Sequence, residues 1–435
     1  MQRTRHGRTR QSPTAVDGRP QGRARQRAFL IAAPSDGDGE LSELRELLRT
    51  AGVATVGELV QRREHPHPDS YLGAGKVQDL RDQARDADAN LIAADDELSP
   101  RQERTLEAAL GIPVIDRTAL ILDIFAAHAH SAEGKLQVEL AQLEYNLARM
   151  RGLWSHLERL GGGIGTRGPG ESQIETDRRL ARDRIAALKR RLARVRSSRS
   201  VMRSERERSR LPTIALAGYT NAGKSTLLNA LTGATVGVGD RLFHTLDPTT
   251  RLLHTGGREY LITDTVGFIR KLPHQLIDAF GATLEETRRA DLILHVVDGS
   301  APEEELVAMV RAVDDVLEEL GADQPRVLVL AKADRIDSER RTELALKHPD
   351  AVLVSALSGE GLQDLTARLQ MEFARTLERV ELLLPYDEGG RLAELHELAG
   401  DLDRTNTAEG VRITARLPAQ AAARFARFAL TGGRA

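Results

Sequence analysis

The residues best able to do chemistry lie in one short glycine-rich segment near the middle of the chain. Residues 218–225 match the spacing G-x-x-x-x-G-K-[ST] and stand between an apolar strand and a helical segment. Glycines at these positions let successive backbone N–H groups face phosphates, while the lysine reaches the β and γ oxygens and the serine hydroxyl binds Mg²⁺. The predicted phosphate loop and the start of its helix comprise Gly218, Tyr219, Thr220, Asn221, Ala222, Gly223, Lys224, Ser225 and Thr226.

A second motif, D-x-x-G, closes the apolar strand that begins at Leu261. Its residues are Asp264, Thr265, Val266 and Gly267. Asp264 is suited to hold a magnesium-bound water, and the Gly267 N–H is suited to sense a γ-phosphate. Four residues are a weak signal alone, but their position downstream of the phosphate loop strengthens it. The two motifs together predict a nucleoside triphosphate site with magnesium.

Two further loops follow apolar strands and are predicted to contact the base. The first, after the run 327–330, is Ala331, Lys332, Ala333 and Asp334, and the second, after the run 352–354, is Ser355, Ala356 and Leu357. Asp334, expected to be a buried carboxylate, accepts two hydrogen bonds from the N1–H and N2–H₂ edge of guanine. Adenine lacks that edge, so an unpaired carboxylate discriminates against ATP.

Apolar and helical patterns divide the 435 residues into several regions, as expected for a chain longer than one hydrophobic core supports. The predicted class is α/β. A P-loop GTPase domain with a mostly parallel sheet follows a small α/β domain and an antiparallel helical hairpin, and precedes a small C-terminal α/β domain. The predicted ranges are a disordered basic tail 1–27, an N-terminal domain 28–130, a hairpin 131–198, a GTPase domain 211–370 and a C-terminal domain 378–431.

In the N-terminal region, apolar runs alternate with helical segments, which predicts a parallel sheet. The runs are 28–33, 91–94 and 112–115, and the first helical segment is 41–52. A second helix is predicted from Ser99, because Ser99 as N-cap, Pro100 and Gln102 form a capping box. In the C-terminal region, two apolar strands, 380–384 and 411–417, are each followed by a helical stretch.

The hairpin is predicted from a repeating apolar seam. Leucines and similar residues recur in steps of four and three from Leu136 to Leu157, and again from Ala181 to Val195. Such steps are typical of a coiled coil, and two seams joined by a short loop pair with each other. The glycine-rich loop 161–170 then forms the tip, and a Ser- and Arg-rich stretch, 197–210, is predicted to be a linker.

Composition narrows the class of partner. No apolar run approaches the ~20 residues of a membrane span, and the absence of cysteine fits a reducing cytoplasm and excludes disulfides. Net charge is −2, yet residues 1–27 hold eight arginines against one acid, and residues 178–210 hold fourteen basic residues against three acids. Two basic segments on a near-neutral chain favour contact with a polyanion such as RNA, although solvated charge is an equal alternative for the tail.

The motifs taken together resemble the translation-factor-like GTPases, and specifically the HflX family of ribosome-associated GTPases. The resemblance rests on the nucleotide motifs, on the tip and following residues 161–171 and 175–179, on the run 134–143 and on the run 245–251. It covers about residues 28–370. It implies GTP hydrolysis with Mg²⁺, binding to the large (50S) ribosomal subunit and its rRNA, and a role in ribosome splitting, rescue or assembly. We expect the protein to be a monomer.

The family pattern also implies the position of switch I, which here denotes residues 243–247. Its residues are Phe243, His244, Thr245, Leu246 and Asp247, all expected to contact nucleotide. Thr245 is implied as the second magnesium hydroxyl beside Ser225, and as catalytic together with Lys224 and Gly267. Thr249 and Thr250 are competing candidates for that hydroxyl.

The sequence departs from the family pattern at His244 and, more seriously, at Ala331, where guanine-specific GTPases usually carry asparagine. We therefore expect weaker nucleotide binding. Phe268 stands where many GTPases place a water-orienting glutamine, so slow hydrolysis is expected unless the ribosome or a potassium ion near Asn221 completes the site. The alternatives are a nucleotide-dependent RNA-binding module with little hydrolysis and a P-loop ATPase acting on RNA.

Other motifs carry weaker hypotheses. Residues 163–168 fit G-x-G-x-x-G but follow a helix, so a dinucleotide site is disfavoured. Residues 72–77 resemble a phosphate-loop fragment and are interpreted as a turn at a helix start, with a second nucleotide site as the alternative. Two histidine pairs, at positions 65 and 67 and at positions 128 and 130, lack a third ligand nearby and are interpreted as surface residues.

Overall fold

The computed structural model describes residues 26–35, 41–150, 169–209, 211–235, 239, 242–243, 248–271, 281–375, 377–399 and 402–430. The chain divides into two compact units, with the boundary between Ile121 and Leu122. The predicted basic tail, except Gln26 and Arg27, and residues 161–168 of the predicted tip lie outside the described residues. No described helix has the length and apolar character that a membrane crossing requires.

A four-stranded parallel sheet forms the centre of the first unit, in the order β2-β1-β3-β4. Its strands are β1 Arg27–Ala32, β2 Ala54–Val60, β3 Leu91–Ala94 and β4 Val114–Ile115. The three apolar runs predicted as strands are β1, β3 and β4, and β1 begins one residue earlier than expected. Strand β2 has no apolar run that predicts it, because this edge strand is partly exposed and buries only Leu59.

Three helices connect these strands, and their starts and ends follow local sequence rules. They are α1 Ser42–Ala51, α2 Ala74–Asp86 and α3 Pro100–Leu110. The capping box of α3 is confirmed, since the Gln102 N–H donates to the Ser99 hydroxyl and the Ser99 N–H donates to the Gln102 side chain. Gly73 is the N-cap of α2, which confirms residues 72–77 as a helix start.

Helices α4 Arg117–His128, α5 Ala132–Met150 and α6 Pro169–Ser209 follow. Helices α5 and α6 pack through one apolar cluster, and ion pairs Arg184–Glu139 and Lys189–Glu144 flank it. The cluster consists of seam residues predicted from the heptad spacing, namely Leu136, Leu140, Leu143, Ile185, Leu188, Leu192 and Val195. The predicted seam residues Trp154 and Leu157 lie outside the described residues.

The prediction of a linker at 197–210 is wrong, because α6 continues without interruption to Ser209. Its composition of serine and arginine suggested a flexible connector. Arginine, glutamate and methionine are good helix formers, however, and an extended helix needs no apolar face once its first turns are anchored by packing.

The GTPase domain contains a six-stranded sheet in the order β10-β9-β8-β5-β7-β6. Only the edge pair β6–β7 is antiparallel. The strands are β5 Thr213–Gly218, β6 Thr249–Thr255, β7 Arg258–Asp264, β8 Leu292–Asp298, β9 Arg326–Ala331 and β10 Val352–Leu353. The central strand β8 is buried almost throughout, as expected for a parallel strand covered on both faces. Parallel strands bring their carboxyl ends, and the loops that follow them, to one edge.

Five described helices belong to this sheet. They are α7 Lys224–Thr232, α8 Gly281–Arg289, α9 Glu303–Glu319, α10 Ser338–Lys347 and α11 Leu362–Arg375. Helix α9 buries Leu306, Val313 and Leu317, spaced as expected for one face of a helix.

The C-terminal region is a three-stranded antiparallel sheet in the order β11-β13-β12, with two helices. Its elements are β11 Leu377–Leu384, α12 Gly389–Ala399, β12 Leu402–Thr407, β13 Gly410–Pro418 and α13 Ala419–Arg424. Strands β11 and β13 contain the two predicted apolar runs. The edge strand β12 was not foreseen, because its side chains are polar and largely exposed.

Candidate nucleotide site

The phosphate loop adopts a tight turn that only certain residues permit. A Cβ on Gly218 would lie 2.1 Å from the carbonyl oxygen of Val296 in β8, so this position requires glycine. Asn221 and Gly223 adopt left-handed backbone conformations, with φ values of 58° and 100°, and the chain then enters α7 at Lys224. The loop therefore ends at a helix N-terminus, where backbone N–H groups and the helix dipole favour an anion.

Lys224 is held inside this turn by the loop itself. Its Nζ donates to the carbonyl oxygens of Gly218 and Tyr219, at 3.0 and 2.8 Å, and the residue is only 7% exposed. Burial lowers the pKa of Lys224 from 10.5 to about 8, and the carboxylate of Asp264 partly opposes that shift. An ammonium group in so dry a position interacts strongly with a phosphate.

Ser225 and Asp264 bring a hydroxyl and a carboxylate together beside the loop. The Ser225 hydroxyl donates to Oδ2 of Asp264 at 2.5 Å, and Asp264 is fully buried at the end of β7. The next residue, Thr265, fixes this end of the strand, since its hydroxyl donates to the carbonyl oxygen of Leu216 at 2.7 Å. Magnesium prefers hard oxygen ligands of this kind, so the residues present fit the ion that the motifs imply.

Gly267 lies directly against the phosphate loop. A Cβ at this position would be 2.9 Å from the Cα of Thr220 and 3.0 Å from Nζ of Lys224. A side chain at this position would clash with the Thr220 backbone unless the loop moved, which favours glycine here. The closeness to the lysine suits a backbone N–H that senses the terminal phosphate, as the D-x-x-G motif predicts.

Phe268 contributes its backbone rather than its ring to the site. Its N–H donates to the Gly218 carbonyl at 3.1 Å, and its carbonyl accepts from the Thr220 N–H at 2.7 Å. Its phenyl ring is buried, with 1% exposure. This pairing joins the D-x-x-G segment to the phosphate loop, and no sequence motif predicts it. A phenyl ring has no group that donates or accepts a hydrogen bond, so this side chain cannot orient an attacking water.

Of switch I, only Phe243 lies within the described residues, and His244, Thr245, Leu246 and Asp247 lie outside them. The ring of Phe243 packs against Phe125 of α4, with centroids 4.5 Å apart and planes at 75°. Its side chain is therefore part of an apolar contact. The sequence-based prediction assigned Phe243 only a contact with nucleotide. Of the competing magnesium candidates, Thr250 shares a hydrogen bond with Thr263 at 3.0 Å, so its hydroxyl is already engaged in the β6–β7 pair.

The two predicted base loops are joined to each other. The Ala333 N–H donates to the Val354 carbonyl at 3.0 Å, and the Ser355 hydroxyl donates to Oδ1 of Asp334 at 2.6 Å. This hydrogen bond is the main cause of the lowered pKa of Asp334, which keeps the carboxylate ionised as an acceptor. Ser355 is fully buried and accepts from the Ser358 N–H, so the donor is fixed in place.

The expectation that Asp334 is a buried carboxylate is wrong, because this side chain is exposed in the structure. It belongs to a short turn, Ala333–Arg335, that follows the end of β9. Leu357, at the end of the second loop, is likewise largely exposed.

Ala331 is the last residue of β9, and Lys332 follows it in the first base loop. Lys332 adopts a left-handed backbone conformation, φ 63°, and its Nζ pairs with Asp298 at 2.6 Å. Asp298 was not identified from the sequence, although it ends the apolar strand β8 at the same sheet edge. The Cβ of Ala331 lies 3.8 Å from the position of a Cβ on Gly223, so residue 331 faces the phosphate loop with a methyl group only.

A buried histidine lies on the strand next to the one that leads into the phosphate loop, and no sequence motif predicts it. His295 of β8 lies opposite Ala217 of β5 and is 4% exposed. Burial lowers the pKa of His295 to about 4, so the ring is neutral near pH 7. It adds no positive charge close to Lys224. Among the residues that the structure describes, no group of three or more His, Cys, Asp or Glu forms a candidate metal cluster.

This combination of a mostly parallel sheet, a phosphate loop, a close-packed D-x-x-G segment and paired base loops at one sheet edge defines a P-loop GTPase. Three family profiles match the chain. They are described as GTP-binding GTPase N-terminal, residues 38–126, GTP-binding GTPase Middle Region, residues 128–206, and 50S ribosome-binding GTPase, residues 213–332.

Similar proteins extend over most of the chain. The GTPase HflX of Lacrimispora saccharolytica is 46% identical over 402 residues, which cover 91% of this chain and 94% of that protein. The GTPase HflX of Escherichia coli K12 is 44% identical over 363 residues, which cover 82% and 85%. The crystal structure of SsGBP with GDP is 26% identical, covers 80% of this chain and 98% of its own, and has a TM-score of 0.45. The chain belongs to the HflX family of GTPases.

Proposed function

We propose that this GTPase binds the large ribosomal subunit and hydrolyses GTP there, in ribosome splitting, rescue or assembly. The GTPase domain matches a profile described as a 50S ribosome-binding GTPase. The HflX relatives align with this chain over most of their length. The observation that carries the enzymatic part is the buried Lys224 beside the Ser225–Asp264 pair. These groups stand where a phosphate loop presents its cation and its magnesium ligand.

The residues have separate proposed roles. Lys224 and the loop N–H groups hold the β- and γ-phosphates, Ser225 and Thr245 hold Mg²⁺, and Gly267 contacts the γ-phosphate. Bound magnesium supplies charge neutralisation on the phosphate oxygens. Asp334, oriented by Ser355, recognises the guanine edge.

Helix α6 offers a basic surface for ribosomal RNA. Its basic residues fall into two sets. Arg184 and Lys189 pair with glutamates of α5, whereas five other arginines are exposed and make no ion pair among the described residues. The second set consists of Arg179, Arg182, Arg190, Arg191 and Arg194. Exposed arginines without acidic partners suit phosphate contacts, which position a protein on RNA.

Hydrolysis is proposed to depend on a group from outside the chain. The buried ring of Phe268 cannot orient water, so the free protein is expected to hydrolyse GTP slowly. A ribosomal group is the first candidate for that role. A potassium ion near Asn221 is the second, and a rate higher in K⁺ than in Na⁺ would support it. We also propose that the protein is cytoplasmic and monomeric. Light scattering of the purified protein tests the monomeric state.

Single-turnover GTP hydrolysis with and without large subunits tests the proposal. We expect stimulation by the subunits, and loss of at least tenfold in affinity or turnover in Lys224→Ala and in Ser225→Ala. Unstimulated hydrolysis with intact subunit binding would favour the nucleotide-dependent binding module instead. A titration that compares the affinities for mant-GDP and mant-ADP distinguishes the GTPase and the binding module from an ATPase.

Ribosome binding is tested with matched neutralised variants. Arg190→Gln with Arg194→Gln removes two charges that make no ion pair among the described residues, and the control, Arg184→Gln with Lys189→Gln, removes two charges already paired with α5. We expect the first variant to lower cosedimentation and to reduce the salt slope by about 1.4–1.8, and the control to reduce it less. Deletion of 161–170 is expected to weaken cosedimentation while GTP binding persists. Wild-type cosedimentation of both the deletion and the first variant would refute the hairpin as the binding element.

A further inference from the structure

One arginine of α10 contacts both of the loops predicted to hold the base. The Nη2 group of Arg341 donates to the carbonyl oxygen of Ala333 at 2.7 Å, in the first base loop. Its Nε donates to the carbonyl oxygen of Ile336 at 3.3 Å, at the end of the turn that carries Asp334. Nη1 and Nη2 also pair with the two carboxylate oxygens of Glu360, which follows the second base loop. Three nitrogens of one guanidinium therefore join the two loops.

These contacts close a ring of hydrogen bonds around Asp334. The backbone carbonyl of Glu360 accepts from the Ser355 N–H at 2.9 Å, and the Ser355 hydroxyl donates to Oδ1 of Asp334 at 2.6 Å. Asp334 follows Ala333, whose carbonyl oxygen accepts from Arg341. The ring thus runs from Arg341 through Glu360, Ser355 and Asp334 back to Arg341. A displacement of one loop relative to the other stretches or breaks at least one of these bonds.

Helix α10 holds Arg341 in a fixed position. Asp337 is the N-cap of the helix, and its side chain accepts from the Arg340 N–H at 2.8 Å. The Arg340 side chain donates to the Ala301 carbonyl at 2.9 Å and pairs with Glu303 at 3.0 Å, which fastens α10 to the start of α9 and the residues just before it. Two adjacent arginines thus make separate contacts: Arg340 holds α9, and Arg341 holds the base loops.

The Arg341–Glu360 pair is better suited to fixing geometry than to stabilising the fold. The two side chains are 33% and 44% exposed, and ion pairs at that exposure contribute little to stability. A planar guanidinium that meets a carboxylate through two nitrogens is nevertheless geometrically specific. This hydrogen bonding is the main cause of the lowered pKa of Glu360, so the carboxylate is ionised near pH 7. Residue 331, by contrast, is an alanine and has no side-chain group with which to brace the base loops.

We propose that Arg341 is a positioning residue for guanine recognition, because it holds Asp334 and Ser355 in the arrangement that receives the N1–H and 2-amino groups of the base. The inference rests on the proposed role of Asp334 in base recognition. A carboxylate that moves freely makes weaker hydrogen bonds with a base, since part of the binding free energy is then spent on fixing it. Loss of Arg341 therefore lowers affinity most for the base that uses both carboxylate hydrogen bonds.

The test compares GDP with inosine diphosphate, each displacing mant-GDP from the full-length protein. Hypoxanthine keeps the N1–H of guanine but lacks the 2-amino group, so it makes one hydrogen bond to Asp334 where guanine makes two. The wild-type protein is expected to prefer GDP by about tenfold, the effect of one hydrogen bond to a charged acceptor. In Arg341→Met, GDP affinity is expected to fall about fivefold and inosine diphosphate affinity less than about twofold, so the preference for GDP falls about threefold.

Arg340→Met is the matched control. It changes the neighbouring position of the same helix and also removes an ion pair and a hydrogen bond to a backbone carbonyl. Both affinities are expected to stay within about twofold of wild type, whatever the effect on the melting temperature. If Arg341→Met is too unstable to purify, Glu360→Gln takes its place, since it removes the charge that Arg341 contacts and leaves the backbone bond to Ser355. Arg341→Met with Ser355→Ala is expected to lose less GDP affinity than the product of the single losses, because both act on Asp334.

Equal losses for GDP and inosine diphosphate, no loss for either, or a multiplied loss in the double variant would overturn the inference. A fall in GDP preference as large in Arg340→Met would also overturn it, because the effect would then belong to the helix as a whole. Asp334→Ala in the same assay distinguishes two levels of failure. If Asp334→Ala abolishes the preference and Arg341→Met retains it, Arg341 alone is rejected. If Asp334→Ala leaves the ratio of affinities unchanged, the proposed role of Asp334 in guanine recognition is rejected.

Discussion

Nucleotide binding is expected to take up a proton at Lys224 when the solution is mildly alkaline. The folded protein lowers the pKa of this buried lysine from 10.5 to about 8, because burial penalises the ammonium form. The phosphates of a bound nucleotide favour the charged form and raise the pKa again. Between these two pKa values the free protein lacks a proton that the complex holds, so binding must supply it from solution.

The size of the effect follows from the free-protein pKa of about 8. At pH 8.5 about three quarters of the free lysines are neutral, so binding takes up about 0.8 proton. Between pH 7.5 and 9.0 the affinity is expected to fall about eightfold. The sign for folding is also defined. The depressed pKa makes the unfolded chain bind more protons between pH 8 and 10.5, so Lys224 adds stability as pH rises through that window.

Isothermal titration calorimetry with GDP measures the proton uptake directly, from the dependence of the binding enthalpy on the ionisation enthalpy of the buffer. Lys224→Arg is the control, because a guanidinium stays charged throughout this range and takes up no proton. Uptake below about 0.1 proton at pH 8.5, where linkage requires about 0.8, would refute the reasoning. Equal uptake in Lys224→Arg would place the proton elsewhere.

Three further substitutions follow from the contacts of the site. Ala331→Asn adds an amide facing the loop at Gly223, and mant-GDP dissociation is expected to slow by about tenfold, the effect of one hydrogen bond; an unchanged rate contradicts this. Ser355→Ala removes the hydrogen bond to Asp334, and we expect mant-GDP affinity to fall about fivefold, while mant-ADP affinity stays the same. Gly267→Ala places a Cβ against Thr220 and Lys224, and the preference for GTP analogue over GDP is expected to fall about tenfold; an unaltered preference would show that the loop adjusts.

The parts of the fold that sequence could predict are those fixed by short-range chemistry. The capping box of α3 needs only Ser99, Pro100 and Gln102, all within four positions of one another. The phosphate loop likewise depends on eight consecutive residues whose spacing defines the turn. The α5–α6 seam could be predicted for the same reason, because the spacing of apolar residues within each helix indicates it.

The parts that sequence missed depend on distant partners. Strands β2 and β12 lie at sheet edges and carry mixed polar residues, so their hydrogen-bonding neighbours, rather than their own pattern, make them strands. The contact of Phe125 with Phe243 joins residues more than a hundred positions apart, and nothing in either local sequence indicates it. The exposure of Asp334 is similarly a property of the turn beyond β9, which a motif does not specify.

The uninterrupted length of α6 has a mechanical consequence. Its 41 residues rise about 60 Å along the helix axis, roughly the diameter of a globular domain or more. Because the helix is long and continuous, a small tilt at one end produces a large displacement at the other. A tilt of about 5° at one end moves the other end by about 5 Å, close to one helical turn. A tilt of this size is enough to make or break a contact at the far end of the helix.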